Sequence, residues 1–520
     1  MKEFSAPVDD IVFSLTHVAG ADRLAGFDAA TSQEVLSHFA SFAEGVLAPL
    51  NAVGDRQGAR LVNGRVVMPD GFREAYDQLV TGGWQGRCVP EGFEGMGLDP
   101  LTAAAVSEVF SGANHALQMV CNLVPGAVST LRSHGSADQQ ARFIPALARG
   151  EMLATMCLTE AGAGSDLSRI RTRARKTDAG WQITGDKIFI SGGDQDLSAA
   201  IFHLVLARSG APDSGTRGLS LFLCDSRAAR ATISVTRIEE KLGLHASPTC
   251  QLAFDAAPAE LIGEEGAGLA AMFTMMNHAR LDVALQGVAH AARAADIARS
   301  YAAARRQGRR ADGSEAVLAD HADVARMLDT QDTLAIGARA MCHIALVELA
   351  VGERPDLADF LTPLCKIFAT QAGSRSADLG LQVLGGYGYL EEYGLSQVWR
   401  DARITAIYEG ANGIQALTTA SRNLRRGQGA AHFLDLIAQL AGEGCAAQRD
   451  AWRAFMAQVQ AVDDPSPFAH DFAQMTADLF FRAVWVKIAQ VADRSLDGAK
   501  LHHLAQRLAT TQPRGAMPEF

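Results

Sequence analysis

Between about Met152 and Gly263 the apolar residues stop recurring every three or four positions and begin to alternate. Trp181, Ile183, Ile188 and Ile190 are followed by IFHLVLA at 201–207, GLSLFLC at 218–224, ATISVTRI at 231–238 and CQLAFDA at 250–256, each bounded by Gly, Asp or Ser. Short runs at this spacing predict an antiparallel sheet or small barrel, not alternating βα units. On either side the period is helical. Leu36, Phe39, Ala43, Val46, Leu47 and Leu50 form one stripe, headed by a capping-box pattern at Thr31 and Glu34. From Leu269 to about Arg426 the chain is rich in alanine and other helix formers, a composition suited to tight packing in a bundle. The segment RRGQG at 425–429 breaks that pattern. Beyond it Phe433, Leu436, Ile437 and Leu440, then Trp452, Phe455 and Val459, then Leu479, Phe480, Val484 and Ile488 form amphipathic stripes that need a surface to cover them. The expected class is α+β, mainly α: an N-terminal helical domain (1–152), a middle antiparallel β domain (153–265), a C-terminal four-helix bundle (266–426) and a helical appendage (427–520).

The alternating region also bears on cofactor choice. The one dinucleotide-like glycine pattern, Gly266-Ala-Gly268-Leu-Ala-Ala271, has no convincing strand in front of it and heads a helical region. It reads as a turn with close packing, not as a Rossmann fingerprint. A net charge of −11 argues against a general affinity for nucleic acid or anionic membrane. The eight cysteines are scattered without a CxxC pair, which fits neither a disulfide framework nor a zinc site and suggests a reducing cytoplasm. The first residues lack an apolar h-region, and no long uninterrupted apolar span predicts a membrane helix.

Chemistry concentrates in RDARITAIYEGANGIQ at 400–415. Glu409 stands there between Tyr408 and Gly410 in an apolar setting, where desolvation raises a carboxyl pKa and makes the carboxylate a stronger base. Three further segments accompany it: CLTEAGAGSD at 157–166, KIFISGG at 187–193 and QVLGGYGYLEEYG at 382–394. At these residues the chain resembles the acyl-CoA dehydrogenase family, flavoproteins with TEPGAGSD, W-I-T, GGxG and Y-E-G-T segments in this order. EKLGLHASPTC, FTMMNHARLDVALQGVA, EGANGIQA and the appendage resemble its larger bacterial subgroup with a C-terminal extension.

The resemblance implies FAD as cofactor and dehydrogenation of an acyl-CoA thioester, with Glu409 taking the α-proton and flavin N5 the β-hydride. It implies flavin contacts from Met156, Leu158, Thr159, Gly164 and Ser165, and from Phe189, Ile190 and Ser191 at the W-I-T position. Arg305 and Gln307 would reach the cofactor of a neighbouring subunit, Gln382, Gly385 and Gly386 would meet its ADP part, and Ala411 and Gly413 complete the cofactor set. Ser165, Asn277, Arg280 and Gly410 match substrate contacts. Ala161 stands where the family has proline, Ala411 where it has threonine, and Gln307-Gly308 where it has Thr-Phe. Electron transfer flavoprotein is the implied acceptor and a homodimer the implied assembly, with no nucleic acid, metal or membrane span expected. An oxidase passing electrons to oxygen, or a family member that binds without turnover, are the alternatives.

Overall fold

The computed structural model describes residues 2–510, apart from the side chains of residues 277 and 278; the expected substrate contact Asn277 therefore lies outside what is described. The described residues pack as two compact units, one of residues 46–99 and 114–279, the other of residues 2–45, 100–113 and 280–510. The expected N-terminal segment 1–152 contributes to both.

The first unit is built on a seven-stranded sheet: β1 (Met152–Cys157), β2 (Arg173–Thr177), β3 (Gly180–Ser191), β4 (Ala200–Arg208), β5 (Leu219–Asp225), β6 (Ile233–Ile238) and β7 (Thr249–Ile262). Its order is β1-β4-β2-β3-β7-β5, with β6 on β7 and β5 returning to β4, so the strands curl into a small barrel. Most pairs are antiparallel. β1 and β4 are parallel, Met152 opposite Ala200 through Cys157 opposite Val205, because the long connection between them carries β2 and β3. Every residue of β4 is buried, and β1 and β5 are nearly so, whereas β3, β6 and β7 keep exposed positions between more buried ones. Phe202 of β4 meets Phe143 edge-on at 5.3 Å. At the glycine pair, Gly266 takes φ +83° and donates its N–H to Ser220 Oγ (2.8 Å), while a side chain at Gly268 would collide with the Ser220 backbone. Close packing thus accounts for both glycines.

The second unit is helical. Its main helices are α1 (Gly268–Ala304, which enters this unit at Arg280), α2 (Ala322–Val351), α3 (Pro355–Leu384), α4 (Leu395–Arg403) and the short α5 (Asn412–Thr418). α2 is long and apolar enough to cross a membrane, but 78% of its most apolar window is buried inside the protein. A helix hydrophobic all round is what the centre of a bundle requires. The first long helix, Ala29–Phe42, starts earlier than expected: Asp28 caps it by accepting from Thr31 N–H at 2.8 Å, so Thr31 lies inside the first turn and does not cap it.

The appendage forms α6 (Gly429–Ala441), α7 (Ala446–Ala461), α8 (Ala469–Val491) and α9 (Gly498–Thr510). Its apolar stripes find their cover within the same unit. Phe433 packs on Phe360 of α3 and on Trp452 of α7, each at 5.3 Å, and Phe481 stacks on Phe368 of α3 at 4.6 Å. Trp452 is fully buried and donates its indole N–H to Thr476 Oγ1 at 2.8 Å.

Candidate active site

In the sheet unit the segment after β1 turns back on itself, Glu160 and Ala163 exchanging backbone hydrogen bonds at 3.0 Å. Ala161 and Gly162 form the exposed tip, so the missing proline costs no buried contact. Gly164 and Ser165 follow on the surface, and Met156 and Thr159 are half-buried. Leu158 is buried; its carbonyl accepts from Lys187 Nζ at 2.8 Å, and the Thr159 carbonyl accepts from Ile188 N–H at 2.9 Å. Between Lys187 and Ile190 the β3–β7 register slips, and Phe189 in that bulge takes φ +59° and stands 60% exposed. A left-handed phenylalanine is strained, and a bulge is how a strand re-aims one side chain. Ile190 is buried, whereas Ser191 is half-buried.

In the helical unit two groups of expected residues gather. Arg305, Gln307, Gly385 and Gly386 line one open cleft of about 580 Å³ with Tyr301 and Tyr387. The Arg305 guanidinium lies 5.4 Å from the Tyr387 ring centre. Gly385 ends α3 with φ +60°, and side chains at Gly385 and Gly386 would meet nothing within 4 Å, leaving room for close approach of a ligand to the backbone. Gln382 is exposed on the last turn of α3 but does not line this cleft.

The other group surrounds Glu409, which itself adopts φ +53°, followed by Gly410 at φ +87°. A non-glycine residue held there is strained and persists only where its neighbours fix it. Gln415 of α5 supplies one restraint, donating from Nε2 to the carbonyls of Glu409 (3.2 Å) and Gly410 (3.4 Å). Lys366 of α3 supplies another, donating from Nζ to Gly410 O (2.9 Å) and Asn412 Oδ1 (3.0 Å). Below the loop, Tyr408 donates to Gln286 Oε1, and Gln286 Nε2 donates to Asp282 Oδ2 at 3.0 Å. Ala411 is the N-cap of α5 and makes no side-chain cap, and Gly413 is exposed in its first turn.

Glu409 Oε2 is shielded from solvent and has no hydrogen-bond partner among the described residues. Burial pushes the carboxyl up to about 7, against the lowering influence of Arg280 and Lys366 and with Asp282 adding to the rise. Burial in turn lowers Arg280, and brings Lys366 down to about 8. Lys366, Asp282 and Gln286 were not anticipated. The available signal was Lys366 as the single charge in FLTPLCKIFAT at 360–370.

In the sheet unit a bulge exposes an aromatic ring, and in the helical unit a roomy glycine turn stands beside an arginine and a loop carries a shielded carboxyl. The acyl-CoA dehydrogenase N-terminal, middle and C-terminal domain models match residues 30–151, 155–257 and 266–424. The chain is 42% identical over 483 residues to 3-methylmercaptopropionyl-CoA dehydrogenase of Ruegeria pomeroyi, covering 86% of this chain and 82% of that one. Among solved structures, butyryl-CoA dehydrogenase from Megasphaera elsdenii superposes with a TM-score of 0.68 at 26% identity, over 76% of this chain and 98% of that one. Caenorhabditis elegans ACDH-11 shares the fold over 98% of this chain and 92% of its own, with a TM-score of 0.81 at 20% identity. This chain belongs to the acyl-CoA dehydrogenase family. It is an FAD-dependent oxidoreductase, and the bulge and glycine-turn residues fit that cofactor.

Proposed function

We propose that Glu409 is the base that takes the α-proton of an acyl-CoA thioester, in a reaction that yields the trans-2-enoyl-CoA. The observation that carries this is the shielded, unpartnered Oε2 of a carboxyl raised to about 7 on a strained loop. Such a group is neutralised at little cost on receiving a proton, and is basic enough to accept one near physiological pH. Bound FAD supplies the acceptor for the β-hydrogen and its electron pair. Thr159, Ser165, Phe189 and Ser191 would hold its ring system, and Gly385, Gly386, Gln382 and Arg305 its ADP part, the cleft that Arg305 shares with Gly385 and Gly386 serving the cofactor of a second copy in a homodimer. Arg280 and Gly410 would orient the thioester.

The substrate class is a CoA thioester of a short to medium or branched acid, sulfur-containing ones included; the names of 3-methylmercaptopropionyl-CoA and butyryl-CoA dehydrogenase support its short and sulfur-containing members. Electron transfer flavoprotein is the proposed acceptor, and the cytoplasm the proposed location. A panel of acyl-CoAs assayed anaerobically, with and without a dye acceptor, tests the reading. One or more of them should bleach the yellow protein, and Glu409→Gln should remain yellow yet lose at least ~10²–10⁴ in the bleaching rate. Reduction only by free acids would sink the substrate class, near-normal bleaching of Glu409→Gln would move the base elsewhere, and fast peroxide release in air would identify an oxidase.

A further inference from the structure

Lys366 has no place in the reaction as derived so far, yet it is fully buried in the middle of α3. A buried lysine is costly unless its three donors are used. Two of them are directed at the loop that carries Glu409, one to the backbone carbonyl of Gly410 (2.9 Å) and one to Asn412 Oδ1 (3.0 Å). Asn412 is itself held, donating from Nδ2 to Thr370 Oγ1 one turn further along α3 (3.1 Å). The loop is thus fastened to one helix at Gly410 and again two residues on, at Asn412. No hydrogen bond joins Lys366 to the Glu409 carboxylate, although the two charges act on each other.

We propose that Lys366 is a positioning residue for proton abstraction: it fixes the left-handed backbone at Glu409 and Gly410 from α3, and keeps a cation beside the carboxylate without bonding to it. The arrangement separates two needs. A lysine hydrogen-bonded to Glu409 would hold the carboxylate ionised and weakly basic. A lysine absent would leave the strained turn free to relax and the buried carboxylate without a nearby ammonium. Fastening the backbone while acting on the side chain through space allows orientation to be fixed and basicity to stay near neutrality.

The charges facing Glu409 are Arg280 and Asp282 from α1 and Lys366 from α3, with Tyr408 beside it in the chain and Arg422 and Asp359 acting on Arg280. The inference rests on Glu409 being the base, so both are tested together. The FAD-loaded protein is compared as wild type, Lys366→Met, Glu409→Gln and the double variant, with three readings: flavin absorbance, anaerobic reduction rate from pH 6 to 9.5, and infrared titration of the Glu409 carboxyl as the difference from Glu409→Gln. Lys366→Met should keep its flavin, slow reduction by ~10²-fold at pH 7, as a misplacement of about an ångström does, and move the carboxyl midpoint to higher pH by ~1. In the Glu409→Gln background it should add little, since it acts through that group. A purely structural role would give equal losses in both backgrounds and leave the midpoint in place. Wild-type rate and midpoint in Lys366→Met, with Glu409→Gln inactive, would overturn this inference alone; an active Glu409→Gln would overturn the base itself. Should Lys366→Met not fold, Asn412→Ala at the half-buried end of the same clamp decides the question. It frees Lys366 to turn toward the carboxylate, so the rate should fall ~10-fold and the midpoint should move down, whereas no change in either overturns the proposal.

Discussion

Two buried lysines in this protein sit beside two glutamates, and the two pairs do opposite things. In the sheet unit Lys187, fully buried, donates to Leu158 O and directly to Glu160 Oε1 at 2.9 Å. Glu160 also accepts the backbone N–H groups of Arg171 (2.7 Å) and Thr172 (3.0 Å). Burial pushes Glu160 up, but the Lys187 charge and these donors outweigh it and hold the carboxyl below its usual range. In the helical unit Lys366 likewise donates to a loop carbonyl, yet its next donor goes to Asn412 and not to Glu409, and no backbone N–H group serves Glu409 Oε2. That carboxyl rises to about 7. The difference teaches that burial and a neighbouring ammonium do not by themselves decide what a carboxylate is for. The number of donors it receives does: saturated, Glu160 is a bolt between strands; starved, Glu409 is fit for the role of base proposed for it.

The largest effect expected from this contrast is on the bolt. Lys187→Met leaves Glu160 as a buried charge without its cation, which should cost ~3–5 kcal/mol. It should also loosen the Leu158–Thr159 strand end, so that urea unfolding shifts to lower denaturant and flavin content falls. A variant as stable as wild type would break the contrast, since Glu160 would then need no ion pair.

Next comes the pH dependence, where the two carboxyls should have opposite signs. The Glu160 pKa is depressed, so the stability it gives is present above the ordinary glutamate pKa and is lost as pH falls through its lower folded value. The Glu409 pKa is raised, so its contribution is fully present below the ordinary glutamate pKa and is lost as pH rises toward and through about 7. Glu409→Gln should therefore match wild type in thermal stability at pH 4.5 and exceed it at pH 8, by up to ~3 kcal/mol. Equal stability at both would show that the shielded carboxyl is not destabilised by ionisation.

The smallest effect concerns the loop backbone. Gly410→Ala sets a Cβ at φ +87° against the Gln415 amide, a strain of ~1–2 kcal/mol. Reduction should slow by ~10-fold with flavin content unchanged, a response in kind with Lys366→Met but weaker. An unaltered rate would show that the turn tolerates displacement and that the carboxylate's position is set elsewhere.

How far the sequence carried these readings depends on the range of the interaction concerned. The change of period near Met152 and its return near Gly263 set out the sheet and the helices because side-chain repeat is local, 2 in a strand and 3.6 in a helix. The stripes at Phe433, Trp452 and Phe480 showed that the appendage needs a partner for the same reason. Glu409, Phe189 and the Gly385-Gly386 turn were marked by short motifs, and Arg305 by the family resemblance alone. The helix cap was displaced from Thr31 to Asp28 because several polar residues in one stretch offer the same acceptor, and only backbone geometry selects among them. β4 showed no strict alternation because both its faces are covered, which a single strand's sequence does not reveal.

Sequence by itself determined that a carboxylate before Gly410 and an aromatic before Ile190 are unusual, while the lone charge of Lys366 in an apolar run was a signal passed over. Only the tertiary structure decided what each does. The bulge opposite β7 turned Phe189 outward, three donors from beyond the TEAGAGSD turn made Glu160 a structural ion pair, and the choice of Gly410 O and Asn412 over Glu409 as partners for Lys366 left Glu409 Oε2 without a hydrogen bond among the described residues. Hydrogen bonds between residues 44 and 46 positions apart, such as those of Lys366, are fixed by the packing of α3 against the loop. A donor's direction depends on that packing, and residue type alone carries no information about it.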